Sequence, residues 1–294
     1  MPARLTKERR SLLQLHGCVL LWGFTAILGR LISLPADALV VWRMVLVTLM
    51  LAIIPRTWSG LRRMPPRMAC IYAGIGCVVA THWLAFYGSI KLANSSVAVA
   101  CLGLGSLVAA IIEPIALKKS PSRSDLLSGI LVLPGIILIA GGVSIEMRPG
   151  IVAGILAALL SALFAILNKR YASAHDAFAV TGVEMAAGAA LLAIPTVFQG
   201  ISVPDGRDAA LLLVLAAGCT LLPFILWLKA LHHVSAFSTL LLLNLEPIYA
   251  ILLAAIFFQE YKELSPGFYL GAGIVVFTIL LQPWLRRLRL GEIG

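Results

Sequence analysis

Apolar residues run through this chain in blocks near twenty residues long, broken by short polar or proline-bearing connections. Ten such blocks fall at 12–33, 37–54, 68–90, 95–117, 125–142, 150–169, 177–198, 208–230, 235–258 and 265–285. Each is close to the roughly 20 residues a helix needs to cross about 30 Å of hydrocarbon. The connections are too short to hold a separate soluble domain. The pattern predicts an all-α integral membrane protein of ten transmembrane helices.

The ten blocks are two sets of five. Ala26, Ile27, Leu28, Asp37, Ala38 and Val41 recur 139 positions later as Ala165, Ile166, Leu167, Asp176, Ala177 and Val180. At the same offset Arg30 meets Lys169, Leu92 meets Leu231 and Ser96 meets Ser235, and Ile54-Pro55 recurs one residue later as Ile194-Pro195. An odd number of spans per repeat forces the second to enter the bilayer with opposite polarity, the arrangement of many secondary transporters. The expected plan is two inverted five-helix repeats, 12–142 and 150–285, flanked by cytoplasmic tails at 1–11 and 286–294.

Hydrophobic residues make up 61% of the 294 and charged residues 12%, which excludes an ordinary soluble domain. The net charge of +10 invites a nucleic-acid reading until the basic residues are placed. With the N-terminus inside, 17 of the 23 fall on the cytoplasmic side, four (Lys91, Arg148, Arg207 and Lys262) on the other, and Arg30 and Arg43 within spans. This is the positive-inside pattern with both termini cytoplasmic, so no nucleic-acid partner is expected. Residues 1–11 and the first apolar block imitate a signal peptide, and Ala36-Asp37-Ala38 offers a cleavage site. The block is too long for a signal core, however, and its counterpart at 150–169 is an ordinary span, so insertion without cleavage is expected. Cys18, Cys70, Cys77, Cys101 and Cys219 all lie inside blocks without a C-x-x-C, which points to packing rather than disulfides or metal.

Small residues mark close helix contacts. Gly150, Gly154, Ala158 and Ala162 form a stripe on the sixth helix, Gly267 and Gly271 a shorter one on the tenth, and the fourth is small on most sides from Ser95 to Ser106. Pro114, Pro134, Pro195, Pro223 and Pro247 mark sites of bending.

Ionisable groups at membrane depth each require a reason. Glu246 lies near the middle of the ninth block between Asn244 and Pro247; it serves either as an interhelical hydrogen-bonding group, as a proton carrier or as a partner for a substrate ammonium. Arg43 pairs with a carboxylate or a helix end, or else with a substrate carboxylate. Glu184 is open in the same way. On the third helix His82 with Phe86 and Trp83 with Tyr87 form two strips four residues apart. A lipid-facing belt of aromatics explains them, except that histidine argues against lipid; Trp22, Trp227 and Tyr249 add aromatic surface for a cavity. No H-E-x-x-H, G-x-S-x-G or phosphate-binding loop is present, and His232-His233 is a lone pair at a loop, so no enzyme, metal site or cofactor is expected.

Trp22-Gly23, Ala38 to Arg43, the stretch Phe86-Tyr87-Gly88-Ser89-Ile90-Lys91 leading into Ser95-Ser96, and Leu245-Glu246-Pro247 followed by Phe258-Gln259-Glu260 and Gly271 resemble the EamA-type drug/metabolite transporter superfamily. The resemblance covers nearly the whole chain. It departs in the first half, where Glu113-Pro114 lies beyond the repeat position of Glu246-Pro247 and Lys118-Lys119-Ser120-Pro121 replaces an acidic turn. The resemblance implies a ten-helix carrier of the bacterial inner membrane with a central cavity, and within the superfamily the chain resembles the bacterial exporters of aromatic amino acids. It implies that His82, Trp83, Tyr87, Trp227, Asn244, Glu246 and Tyr249 contact substrate, with Glu246, Glu184 and Arg43 as coupling or structural charges. Alternatives are export of other metabolites or drugs, and, less well supported by the residues, a channel, a lipid scramblase or an intramembrane enzyme. Oligomeric state is not encoded in any feature above.

Overall fold

The computed structural model describes residues 7–118, 120, 123–171, 175–230, 245–259 and 264–290, and helices dominate it, with no strand among the described residues. In chain order the α-helices are α1 (Lys7–Leu31), α2 (Ala36–Ala52), α3 (Pro55–Arg62), α4 (Pro66–Leu92), α5 (Ser95–Leu102), α6 (Gly105–Leu117), α7 (Arg123–Gly141), α8 (Arg148–Tyr171), α9 (Ala177–Gln199), α10 (Gly206–Ala216), α11 (Leu222–Ala230), α12 (Glu246–Phe258) and α13 (Pro266–Leu290). A turn of π-helix, Ala217–Leu221, joins α10 to α11.

Six stretches among the described residues are long and apolar enough to cross a membrane: Arg10–Leu31, Pro66–Leu92, Ser95–Ala116, Ile145–Tyr171, Ala177–Pro195 and Gly206–Ala230. A seventh span would be α2 with α3, but the chain turns by 87° between them. Pro55 stands at the start of α3, where its missing N–H is no loss, and the basic Arg56 and Arg62 hold α3 out of the apolar layer. Gly129–Gly141, Ile248–Phe258 and Pro266–Thr278 are shorter apolar helices. The fourth block is one span in two pieces, broken after Leu102. Asn94 caps its start by accepting a bond from Val97 N–H at 2.9 Å, and Asp205 caps α10 in the same way through Asp208 N–H at 2.7 Å. The last block runs further than the pattern predicts, with α13 continuing through 286–290.

Contacts at the two ends of the bundle fix the direction of each helix. At one end Lys91 Nζ donates to the Ile32 carbonyl, Ser33 N–H and Oγ–H donate to the Asp208 carboxylate at 2.6–3.1 Å, and Gly150 meets Ala93. At the other, Arg56 pairs with Asp176 at 2.7 Å, Lys169 with Glu113, and Tyr72 O–H reaches the Tyr171 carbonyl at 2.8 Å. α1 therefore runs toward the end from which α8 departs, and α2 departs from the end opposite the start of α9. The packing is exchanged between the halves. α1 packs on α11 and α12 while α8 packs on α4, α5 and α6; α2 lies on α9, and α7 on α13. Swapping the halves maps this set of contacts onto itself.

The small stripes do the close packing. A side chain at Gly154 would meet Cys101 Cβ at 2.8 Å and Ser89 Oγ at 3.0 Å, and one at Gly271 would lie 2.5 Å from the Gly135 carbonyl. Gly267 differs from its expected role: its nearest neighbour is Ser265 Oγ at 3.5 Å, so it is not a contact glycine. A closer approach, unmarked by any regular stripe, joins α4 to α9, where a side chain at Gly76 would meet the Glu184 backbone at 2.1 Å.

Candidate functional site

Arg43 is the centre of the site. It lies on α2 and is 2% exposed, so its guanidinium must find partners within the protein. Nε donates to Thr220 Oγ1 at 2.7 Å, Nη1 to Tyr87 OH at 2.8 Å, and Nη2 to the Cys219 carbonyl at 3.5 Å. The guanidinium carbon sits 3.6 Å from the centre of the Trp83 ring, a cation–π contact strengthened by the burial of both groups. Trp83 and Tyr87 are one strip of α4, four residues apart, and both point at the same cation.

The far wall comes from the π-turn. Widening the helix at 217–221 lets Leu222 N–H bond back to the Ala217 carbonyl, and Thr220 Oγ1 donates to the Leu215 carbonyl at 2.7 Å. Thr220 thus accepts from Arg43 while donating to its own helix, which fixes its hydroxyl. Next to it, Phe224 and Trp227 of α11 meet Trp83 and Trp22 edge to face, with ring centres 5.9–6.2 Å apart. Trp83, Phe224 and Trp227 are buried, and the Trp227 indole N–H has no acceptor among the described residues. Glu246, half-buried at the start of α12, lies within electrostatic reach of both Arg43 and Tyr87. The site therefore joins a fixed cation, a carboxyl group and an aromatic wall, drawn from helices of both repeats.

Of the residues expected to contact substrate, Trp83, Tyr87, Trp227 and Glu246 are brought together with Arg43. His82 turns away: its Nδ1 is 2.8 Å from the Ala157 carbonyl, and its ring stacks on Phe86 and against Phe164 of α8. Tyr249 faces α1, its hydroxyl 3.4 Å from Nε2 of the exposed His16. Glu184 does not meet Arg43; it is buried beside Gly76, Asn168 and Tyr72 in the other half of the bundle. Asn244 lies outside the described residues. The sequence reading did not single out Thr220, Cys219 as a carbonyl acceptor of the site, or Phe224. Trp227 and a threonine at membrane depth are the signals that mark this wall in the sequence, and Pro223, two residues beyond the π-turn, is the mark of the bend.

Two helical repeats of opposite direction, interleaved around a buried cation with a half-buried carboxyl near it, are an arrangement that membrane transport proteins use. The chain belongs to the EamA-like transporter family, whose model matches it twice, at residues 10–141 and 148–282. It is accordingly a multi-pass membrane protein that transports small metabolites, and members of this family are transporters rather than enzymes. A solved structure described as "Crystal structure of protein" is similar over 95% of this chain and 99% of its own, with a TM-score of 0.66 and 18% identity, a likeness of fold. No match was found among curated proteins.

Proposed function

We propose that the protein is a secondary carrier that exports amino acids, aromatic ones included, and related small metabolites from the cytoplasm across the bacterial inner membrane by alternating access. It does so with ten spans in two inverted repeats and both termini in the cytoplasm. The observation that carries this reading is the placing of Arg43 and Glu246 within electrostatic reach of each other beside an aromatic wall. An amino acid offers a carboxylate, an ammonium group and a side chain; a guanidinium, a carboxyl group and a cluster of three tryptophans with Phe224 are their chemical complements.

Three of the five Arg43 N–H groups are engaged by the partners above, which leaves donors for a substrate carboxylate. Trp227 Nε1–H is a further donor that a bound carboxylate or carbonyl would satisfy. Tyr87 positions Arg43, and His82 and Tyr249 hold α4 on α8 and α12 on α1. The closed packing of the site suits an occluded state, from which exposure to either side follows by rocking one set of spans against the other.

The test is uptake of a panel of radiolabelled amino acids into liposomes containing the purified protein. Saturable uptake of tryptophan, phenylalanine or tyrosine, competed by other neutral amino acids, is expected. A panel transported no faster than into protein-free liposomes overturns the substrate assignment.

A further inference from the structure

The half of the bundle opposite Arg43 holds a second polar cluster that substrate recognition does not use. Nine buried side-chain nitrogen or oxygen atoms have no hydrogen-bond partner among the described residues, and five of them lie on or against one face of α9: both Glu184 carboxyl oxygens, both Asn168 amide atoms and Thr181 Oγ1. Protein interiors satisfy their polar atoms almost completely, so such a concentration at one place is a departure that demands a role. Glu184 and Asn168 are each wholly buried, seated where α9 presses on Gly76 of α4.

The groups around Glu184 are few. From α4 the titratable residue facing it is Tyr72; from α8 it meets the neutral Asn168. Arg56 of α3 is engaged by Asp176, Lys229 of α11 lies over the Phe178 ring, and Arg43 of α2 is committed to α4 and the π-turn. No cation is paired with this carboxyl among the described residues. It lies about 10 Å along α9 from the end that carries Arg56, Lys169 and Arg170.

Toward that end, one turn of α4 before Gly76, stands Tyr72. The Tyr72 hydroxyl is 2.8 Å from both the Tyr171 carbonyl and His175 Nδ1, and His175 stands in the connection between α8 and α9, half-exposed. A hydroxyl placed between a carbonyl and an imidazole nitrogen can donate to either. It can therefore pass a proton to His175 while accepting one from within.

We propose that Glu184 is a proton-binding site that couples proton entry to substrate export, with Tyr72 and His175 as its path to the cytoplasm. Glu184 carries a proton in the state described, where the neutral Asn168 is its neighbour and no cation is paired with it among the described residues. On release the Glu184 proton passes to water admitted between the carboxyl and Tyr72 as the spans part, that water gives a proton to the Tyr72 oxygen as the Tyr72 proton passes to His175 Nδ1, and His175 gives up its Nε2 proton to water. One proton thus enters for each substrate exported. The inference rests on the carrier reading of the preceding subsection.

The first test needs no substrate. Infrared difference spectra of the protein in lipid, recorded across a pH titration, should show the carbonyl band of a protonated carboxylic acid that Glu184→Gln lacks. The same band in Glu184→Gln overturns the assignment. In liposomes preloaded with tryptophan, Glu184→Gln should lose the several-fold stimulation given by a pH gradient while tryptophan exchange without a gradient stays within about twofold of wild type. Tyr72→Phe should slow gradient-driven flux with exchange intact, which covers the case in which Glu184→Gln folds poorly. Wild-type exchange that no pH gradient accelerates overturns coupling and leaves the carrier standing; absence of any saturable exchange removes the carrier reading itself.

Discussion

At the scale of single residues, the account turns on the difference between a charge and the geometry that holds it. Arg43→Lys keeps the positive charge but loses the planar fork shared by Thr220, Tyr87 and Cys219, and lysine stacks poorly on Trp83. Hydrogen bonds to charged groups contribute about 1.5–3 kcal/mol each, so tryptophan exchange should fall roughly tenfold or more while the protein still folds. Wild-type exchange in Arg43→Lys would show that a point charge suffices. Glu246 separates by a pair of variants. Glu246→Gln preserves volume and most hydrogen bonding, so normal stability with altered flux identifies a charge that works in transport. Glu246→Ala should lower stability by about 1–3 kcal/mol if the group mainly satisfies its neighbours at the start of α12. These residues were visible in the sequence as expensive groups at membrane depth, but their partners were not. The contacts of Arg43 with Cys219 and Thr220 span 176 and 177 positions, and no local pattern encodes them. His82 illustrates the same limit: its strip was legible from the four-residue spacing, whereas the choice of α8 over the site depends on how α4 is rotated.

At the scale of helices, glycine decides which pairs approach. Gly154→Leu should destabilise the protein by about 1–3 kcal/mol, because the Cys101 and Ser89 side chains occupy the space the new side chain requires. Two glycines on α13 give a sharper comparison, since Gly271→Ala forces its Cβ against the Gly135 backbone while Gly267→Ala meets open space or ordinary contact. Thermal unfolding in detergent should show a clear loss for Gly271→Ala and a change within about 0.5 kcal/mol for Gly267→Ala. Equal melting temperatures for the pair would contradict the close approach of α7 and α13. Stripe periodicity located the sixth-helix contact correctly and overstated the tenth, because spacing gives a face and not what lies across from it. The Gly76 contact escaped notice since a single glycine in an apolar run carries no period. Breaks followed the same rule: Pro55 stands at the 87° turn and Pro223 two residues beyond the π-turn at 217–221, whereas the break after Leu102 has no proline to mark it.

At the scale of the molecule, the repeat and the family were legible because duplication leaves identities at a fixed offset and spans leave blocks of fixed length. Which way the repeats face the cell follows from charge. If the end bearing Arg56, Lys169 and Arg170 is cytoplasmic, a cysteine introduced at Ser59 in a chain freed of its five native cysteines should resist an impermeant reagent in intact cells, and one at Ser202 should react. The reverse pattern would invert the topology and with it the direction of export. The interleaving of α1 with α11 and α12, and of α8 with α4, α5 and α6, means that motion of either set moves the walls of the Arg43 site. A carrier built this way must show substrate on one side accelerating movement from the other, which a channel does not. The most direct measurement is therefore counterflow: liposomes loaded with unlabelled tryptophan and diluted into a trace of labelled tryptophan, with no ion gradient. Transient accumulation of label above equilibrium, saturable and absent from unloaded liposomes, is the predicted result; label that only equilibrates at a rate indifferent to the internal tryptophan would contradict alternating access.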